Sequence, residues 1–151
     1  MKPIYFTKNK YDSIKKEYQD LLIQRKDAVI HLAKAREMGD LSENGYYRAS
    51  KMKLSSIDHN LRKFTDFIRY GSIINFVNDG RIAIGCRVTI KDANGELQKY
   101  CIVGREEADP KMGKISNESP LGKALLGRKE GETIEFQMPA GKTEITILKL
   151  E

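Results

Sequence analysis

Two acidic residues, Asp40 and Glu43, stand three positions apart in the segment 38–45, Met-Gly-Asp-Leu-Ser-Glu-Asn-Gly. Carboxylate oxygens suit Mg²⁺, which usually keeps one or two protein carboxylates together with phosphate oxygens and water. A bound metal ion can also stabilise the attacking water in phosphodiester hydrolysis. Two carboxylates alone would hold Mg²⁺ poorly, so this pair would need a partner that supplies the remaining ligands.

The same two residues also fit a purely structural role. Asp-x-x-Glu at a helix start is a capping pattern, in which Asp40 accepts backbone N–H bonds and Glu43 reaches back to the cap. A helix after the segment would thus be capped by Asp40 or Ser42, and a helix before it would end at Gly39 in the left-handed conformation. The spacing taken alone favours capping over metal binding. The two roles are compatible, since a capped carboxylate is also a fixed one.

Other arrangements that carry chemistry are missing from the sequence. The two histidines, His31 and His59, fall outside the apolar stripes described below, which predicts surface positions for both. No glycine-rich phosphate loop occurs, and Cys86 and Cys101 lack the spacing of zinc ligands. The cysteines are typical of small core residues in a reduced, cytosolic protein. We therefore expect no site that pairs a nucleophile with a base.

Two long helices are predicted on either side of the acidic pair. Apolar and small residues recur at alternating intervals of three and four from Tyr11 to Ala35, and again from Tyr47 to Ile68, with no proline in either run. Each helix would hold about 28 to 30 residues and span about 40 to 45 Å. Arg25 is the one break in the first stripe.

The two stripes fit together as an antiparallel hairpin. Folding the chain about Leu41 brings seven layers into register, from Ala35 with Tyr47 to Ile14 with Ile68. The layers are large at the base and smaller or more polar toward the turn. This pattern predicts a firmly packed base and a slender tip.

The second half of the chain predicts a small, mainly antiparallel sheet with one short helix. Asn94-Gly95 is a strong hairpin signal, and Ser119-Pro120 has the order expected for the cap and first residue of a helix. The predicted strands are 86–91, 97–103, 114–116, 132–138 and 143–150. The fold class is α+β, and the predicted domains are a hairpin at 1–75, a linker at 76–80 and a globular domain at 81–151.

Positive charge is concentrated in the first half of the chain. The 151 residues include 27 Lys or Arg and 21 Asp or Glu, a net charge of +6. Residues 1–76 hold 15 basic and 9 acidic residues, whereas residues 77–151 hold 12 of each. This division favours contact with nucleic acid, although charge alone is more often that of a solvated helix face. No stretch approaches the roughly 20 apolar residues of a membrane span, so we expect no membrane partner.

Two segments carry a resemblance to a known family. Residues 35–47, Ala-Arg-Glu-Met-Gly-Asp-Leu-Ser-Glu-Asn-Gly-Tyr-Tyr, resemble the tip motif of the GreA/GreB transcript cleavage factors. Residues 119–127, Ser-Pro-Leu-Gly-Lys-Ala-Leu-Leu-Gly, resemble the second signature of that family. The resemblance covers the whole chain and is closer to the GreA type. Two departures are Gly45 and Tyr46, where the family often has Ala and an acidic residue; Tyr46 would stack on an RNA base or pack on the hairpin.

The resemblance implies a function exerted through RNA polymerase. The coiled-coil hairpin would enter the secondary channel of the polymerase, and the globular domain, FKBP-like in fold, would dock at the channel rim. Asp40 and Glu43 would help to hold a second catalytic Mg²⁺ and to position water, so that the polymerase hydrolyses the 3′ end of backtracked nascent RNA. The chain would then be a monomeric, cytoplasmic cofactor of the polymerase rather than an enzyme, sharing Mg²⁺ with it and binding none tightly alone.

Two further sets of residues are candidate contacts. Basic residues near the predicted tip could meet RNA phosphates, although each alone is more typical of a solvated charge; they are Lys34, Arg36, Arg48, Lys51 and Lys53. Residues of the second signature could contact the polymerase rim or, equally, serve as core and capping residues; they are Ser119, Pro120, Leu121 and Leu125.

Three other functions fit parts of the sequence. Some relatives of the family inhibit polymerase from the same channel without cleavage, and their tips carry an added acidic cluster that this segment lacks. A prolyl isomerase would need an aromatic-lined pocket, yet Tyr100 and Phe136 are the only Phe, Tyr or Trp residues in 77–151. A structural coiled-coil oligomer is disfavoured because the hairpin buries its own apolar stripe.

Overall fold

Contacts divide the chain of this computed structural model, which is described for residues 2–39 and 44–151, into two units. Tyr11–Gly71 is here called the helical unit, and Met1–Lys10 together with Ser72–Glu151 is the sheet unit. The first ten residues thus group with the sheet unit, whereas the sequence predicts a hairpin domain at 1–75.

Two long helices account for most of the helical unit. α1 spans Lys8–Arg36 with 29 residues, and α2 spans Gly45–Tyr70 with 26. At about 1.5 Å per residue they are about 43 and 39 Å long, so α1 has the predicted length and α2 is slightly shorter than predicted. Their buried residues follow the predicted stripes except that Phe67 is buried where Ile68 was expected; they are Ile14, Ala28, Leu32, Ala35, Ser50, Ile57 and Phe67.

Polar contacts show that the two helices run antiparallel. The Tyr11 hydroxyl donates to the Ile68 carbonyl oxygen at 3.0 Å, near the start of α1 and the end of α2. Farther along, Arg25 Nε lies 2.6 Å from Asp58 Oδ1. This hydrogen bond and the Asp58 charge raise the pKa of Arg25. An ion pair at the helix surface therefore explains why a charged residue, Arg25, interrupts the first apolar stripe.

The sheet unit contains a five-stranded sheet in the order β5-β4-β3-β7-β6. Neighbouring strands are antiparallel, as predicted, except that β5 runs parallel to β4. A separate two-stranded sheet, β1 with β2, was not predicted. The strands are β1 Ile4–Phe6, β2 Gly71–Ile73, β3 Arg87–Lys91, β4 Leu97–Val103, β5 Lys114–Ser116, β6 Thr133–Met138 and β7 Gly141–Leu150, and the short helix α3 is Pro120–Leu125.

One face of the five-stranded sheet forms a hydrophobic core. Val88 and Ile90 of β3 are 2% and 1% exposed, while Arg87 and Lys91 on the alternate positions are exposed. The side chains of α3 pack on the same core through Leu125, which is fully buried. The alternation of two along β3 therefore separates an apolar inner face from a polar outer face.

A buried carboxylate holds the start of α1 within the sheet unit. Glu107, whose side chain is 4% exposed, accepts hydrogen bonds from the Thr7 N–H (2.9 Å) and the Thr7 hydroxyl (2.7 Å). Lys114 Nζ lies 3.4 Å from the same carboxylate. The Thr7 hydroxyl in turn accepts from the Lys10 N–H in the first turn of α1. These bonds explain why the first ten residues belong to the sheet unit.

Candidate functional site

The acidic pair, Asp40 and Glu43, lies outside the described residues, which include the two points where its segment is attached. On one side, Gly39 follows α1 with φ +104°. A residue with a side chain adopts this conformation rarely and at a cost, so the position favours glycine. The prediction that Gly39 takes a left-handed conformation after the first helix is therefore confirmed.

On the other side, Asn44 makes two bonds that fix the beginning of α2. Its side-chain oxygen accepts from the Tyr47 N–H at 3.1 Å, so Asn44 is the N-cap of α2. Its amide nitrogen donates to the Ala35 carbonyl oxygen at 3.0 Å, in the last turn of α1. Each bond satisfies a group that a helix end leaves without an intrahelical partner. One side chain thus caps one helix and ties it to the other.

The N-cap at Asn44 corrects the sequence prediction. Asp40 and Ser42 were predicted as candidate caps for the second helix, but α2 begins at Gly45 and its cap is the residue directly before it. Asn is among the strongest N-cap residues, so the residue type of Asn44 also indicates a cap. The Asp-x-x-Glu spacing pointed instead to a cap at Asp40. The N-cap position itself is therefore occupied by Asn44 and not by Asp40 or Ser42.

Tyr46, in the first turn of α2, packs across to α1. Its hydroxyl lies 2.8 Å from His31 Nδ1, and the two rings meet edge to face with centroids 6.4 Å apart. The residue is 41% exposed. Of the two roles predicted for Tyr46, packing on the hairpin is the one that the structure shows. His31 is exposed, as predicted, but its pairing with Tyr46 was missed.

Basic side chains surround the attachment points of the acidic segment. All five predicted RNA-contact residues are exposed, two in the last turn of α1 and three in the first turns of α2. Glu37 is the one acidic residue in the described ranges 34–39 and 44–53. We call the set the basic collar; it consists of Lys34, Arg36, Arg48, Lys51 and Lys53. Part of this charge complements the carbonyl end of α1, and the rest creates a positive field around the segment.

The second signature begins at a capped helix on the surface of the sheet unit. Ser119 Oγ accepts from the Gly122 N–H at 3.0 Å and donates to the Ser116 carbonyl oxygen at 2.7 Å. Pro120 is exposed and Leu121 is half-buried. A cavity of about 330 Å³ adjoins this turn through Asn117 and Glu118.

Leu125 must be removed from the predicted polymerase contacts. It is 0% exposed and belongs to the core of the sheet unit. A side chain with no exposed surface packs the core and cannot meet a partner. Ser119, Pro120 and Leu121 keep exposed surface, and their role as contacts stays a prediction.

The cysteines behave as core residues. Cys86 is fully buried, and burial raises the pKa of its thiol to about 11. Burial also raises the pKa of the half-buried Cys101. Both thiols are therefore protonated near neutral pH and poor nucleophiles. Within residues 2–39 and 44–151, no three His, Cys, Asp or Glu side chains cluster as metal ligands, and no helix there is long and apolar enough to cross a membrane.

Two family models match the chain almost end to end. Residues 4–73 match a model described as transcription elongation factor, N-terminal, and residues 77–151 match one described as transcription elongation factor, GreA/GreB, C-term. The chain is 39% identical over 144 residues to the transcription elongation factor GreA of Streptococcus pneumoniae, covering 93% of this chain and 90% of the relative. GreA of Streptococcus sanguinis matches with the same identity and coverage.

Solved structures also resemble the chain. GreA factor homolog 1 of Thermus thermophilus is 24% identical, with a TM-score of 0.47 and 99% of each chain covered. A GreA/GreB elongation factor from Nitrosomonas europaea is 19% identical, with a TM-score of 0.43, covering 68% of this chain and 91% of that one.

Proposed function

Because the chain belongs to the GreA/GreB family of transcription elongation factors, we propose that it binds in the secondary channel of RNA polymerase and stimulates cleavage of backtracked RNA. In this proposal the active site is that of the polymerase, and the chain adds Asp40 and Glu43 to it. The chain itself is not an enzyme.

One observation carries the proposal: Asn44, and not an acidic residue, caps α2 and ties it to α1. The segment between Gly39 and Asn44 thus joins two helix ends that Asn44 ties together, and a capping role is not needed to account for its two carboxylates. They lie at the junction of two helices of 29 and 26 residues. Such a hairpin is suited to presenting a short segment about 40 Å from its base.

The carboxylates fit a metal that a partner also holds. Asp40 and Glu43 offer hard oxygen ligands of the kind that Mg²⁺ prefers, but too few to retain it alone. When bound, Mg²⁺ would stabilise the attacking water and the developing charge at the scissile phosphate. The role of Asp40 and Glu43 is to place their negative charge at this point, and the polymerase supplies the remaining ligands.

The basic collar supports binding of the RNA. Its five cations lie on the two helix ends that flank the acidic segment, so they would attract phosphates toward this segment. Cations that contact phosphates release counterions, so the affinity for a backtracked complex should fall as salt rises. Ser119, Pro120 and Leu121 are proposed to contact the rim of the channel because they remain exposed around a rigid, capped turn.

The test is RNA cleavage in a stalled, backtracked elongation complex. Wild type is compared with Asp40→Asn, which removes one charge and keeps the shape, and with Ser42→Ala in the same segment as a matched control. We expect Mg²⁺-dependent cleavage to fall on the order of 10²-fold in Asp40→Asn, as for loss of a group that acts in the transition state, and to persist in Ser42→Ala.

Binding to polymerase is measured in parallel with a labelled chain. Equal affinity of wild type and Asp40→Asn would show that the lost cleavage reflects chemistry and not recruitment. If wild type binds polymerase and slows synthesis without cutting RNA, the chain is a channel-binding inhibitor and the proposal fails.

A further inference from the structure

The outer face of the five-stranded sheet carries a groove of about 580 Å³ that the proposed function does not use. Strand register places Arg87 of β3 beside Cys101 of β4, with Lys114 of β5 on the far side of Cys101. The next row places Thr89 of β3 between Lys99 and Lys149. Since Val88 and Ile90 point into the core, these side chains point outward.

The groove, here called the sheet groove, is strongly cationic. Four basic side chains line it, Glu151 is the one carboxylate among its lining residues, and one of the cations, Lys114, also pairs with the buried Glu107 at 3.4 Å. Glu151 pairs with Lys149, which lowers the pKa of the carboxyl group. This density of positive charge is notable because residues 77–151 as a whole are neutral. Charge in this half of the chain is therefore segregated onto one face.

The positive field reaches the floor of the groove. Burial raises the pKa of Cys101, the charges of Arg87 and Lys114 oppose that rise, and the charge of Glu107 adds to it by a smaller amount. Cations close enough to act on a half-buried thiol are close enough to act together on a ligand seated over it. An anionic ligand would therefore be attracted by several side chains at once.

The shape and apolar part of the groove favour a protein over a nucleic acid. Met112, at 73% exposure, lines the groove beside the cations. Methionine and arginine are enriched at protein interfaces, whereas lysine and the acidic residues are depleted, so Met112 and Arg87 are the lining residues that favour a protein. Single-stranded nucleic acids usually stack bases on aromatic side chains. Tyr100 is the one aromatic residue among those lining the groove, and it alternates toward the inner face, with its hydroxyl bonded to Gln98.

We propose that the sheet groove binds an extended acidic segment of a protein partner. Carboxylates of the segment would lie over Arg87, Lys99 and Lys149, and an apolar side chain between them would contact Met112. The inference extends the proposed function by a second contact surface, on a part of the sheet unit that includes neither Ser119 nor Pro120. Its test does not use polymerase or cleavage.

The probe is a blocked peptide of sequence Glu-Glu-Leu-Glu-Glu-Leu, titrated into the full chain at low salt. The ε-methyl signal of Met112, labelled with ¹³C, reports on the groove, and that of Met138 on β6 serves as an internal control because it is also exposed and lies outside the groove. We expect the Met112 signal to shift with saturation while the Met138 signal stays in place. An unmoved Met112 signal, or equal shifts of both, would overturn the proposal.

A matched pair of charge reversals locates the site. Lys99→Glu changes an exposed strand residue in the groove, and Lys142→Glu makes the same change on β7, outside the groove. Reversing one charge of a partly exposed pair should weaken the peptide about fivefold or more in Lys99→Glu and less than about twofold in Lys142→Glu. Equal weakening would show attraction to net charge alone and would refute a defined site.

The competing ligand is tested with a single-stranded oligonucleotide of equal charge. If the oligonucleotide shifts the Met112 signal and the peptide does not, the groove binds nucleic acid and the proposal is wrong. If the peptide binds while the chain fails to stimulate cleavage, the proposal for the sheet groove is supported and the proposed function is wrong. If the chain stimulates cleavage and the peptide does not bind, the proposed function is supported and the proposal for the sheet groove is wrong.

Discussion

The helical unit and the sheet unit are stabilised in different ways. Seven buried residues are spread along the 55 residues of α1 and α2, and one of them is Ser50. The core of the sheet unit joins eleven buried residues in a single cluster. Because apolar burial is the main stabilising term in folding, the sheet unit has the stronger independent core. The helical unit depends more on polar bonds at chosen positions, such as those of Asn44.

Large apolar side chains remain exposed on both units, and on the helices their exposure has a simple cause. Ile23 is 63% exposed, Ile30 52%, Met38 68% and Met52 73%. A hairpin of two helices has only one buried seam, so side chains elsewhere on each helix have no core to enter. The comparison teaches that one apolar core stabilises the sheet unit, whereas a narrow buried seam and local polar bonds stabilise the helical unit. Three substitutions test this.

The largest effect should come from the core of the sheet unit. Ile147→Ala removes a fully buried side chain from β7 and leaves a cavity, which should lower the free energy of unfolding by about 2 to 5 kcal/mol. The matched control is Ile23→Ala on α1, where the lost side chain is mostly exposed. Urea unfolding followed by circular dichroism measures both. A similar loss of unfolding free energy in the two variants would contradict the conclusion that the sheet unit has the stronger core.

A smaller loss of stability is expected from a change near the beginning of α1. Glu107→Ala removes the acceptor of the Thr7 N–H and hydroxyl bonds, and the cost of unpaired buried donors should be about 1 to 3 kcal/mol. Hydrogen exchange at Thr7 and Lys10 should rise, because both amides lose part of this network. Glu106→Ala, an exposed neighbour, is the control. Unchanged exchange at Thr7 would show that the carboxylate does not anchor the first ten residues.

The substitution with the smallest effect on stability should still have a large effect on cleavage. Asn44→Ala removes the N-cap of α2 and its bond to Ala35, at a cost of about 1 kcal/mol. Exchange should rise at the Tyr47 amide and stay constant in the core of the sheet unit. Cleavage should fall as well, because the acidic segment loses one fixed end. Asn60→Ala, exposed on the same helix, is the matched control; a Tyr47 amide that exchanges equally in both variants would contradict the assignment.

Local patterns predicted most of the elements. The helices, β4 and β5 appear where the periodicity and turn signals placed them, since each signal arises from neighbours in the sequence. β1 and β2 were missed because a strand of three residues is too short to show an alternation of two. The parallel pairing of β5 with β4 was missed for a related reason: strand direction depends on the path of the chain between the strands, not on either strand.

The candidate site was predicted unevenly. Gly39 could be assigned from the sequence because a left-handed turn after a helix favours glycine. The cap was assigned wrongly, because several residues in one turn can cap and only the observed helix start selects Asn44. Leu125 was misplaced because the sequence shows that a residue is apolar, not which side of a short helix is covered.

By itself the sequence determined two long helices, a mainly antiparallel sheet, a basic first half and two family motifs, since these follow from residue types and short spacings. Only the tertiary structure decided what joins distant parts of the chain. Thr7 and Glu107 are 100 positions apart, and the cations of the sheet groove come from four different strands. Such contacts depend on how the strands are ordered and paired. Local propensity does not encode them, because closing a long loop is decided by the free energy of the whole fold.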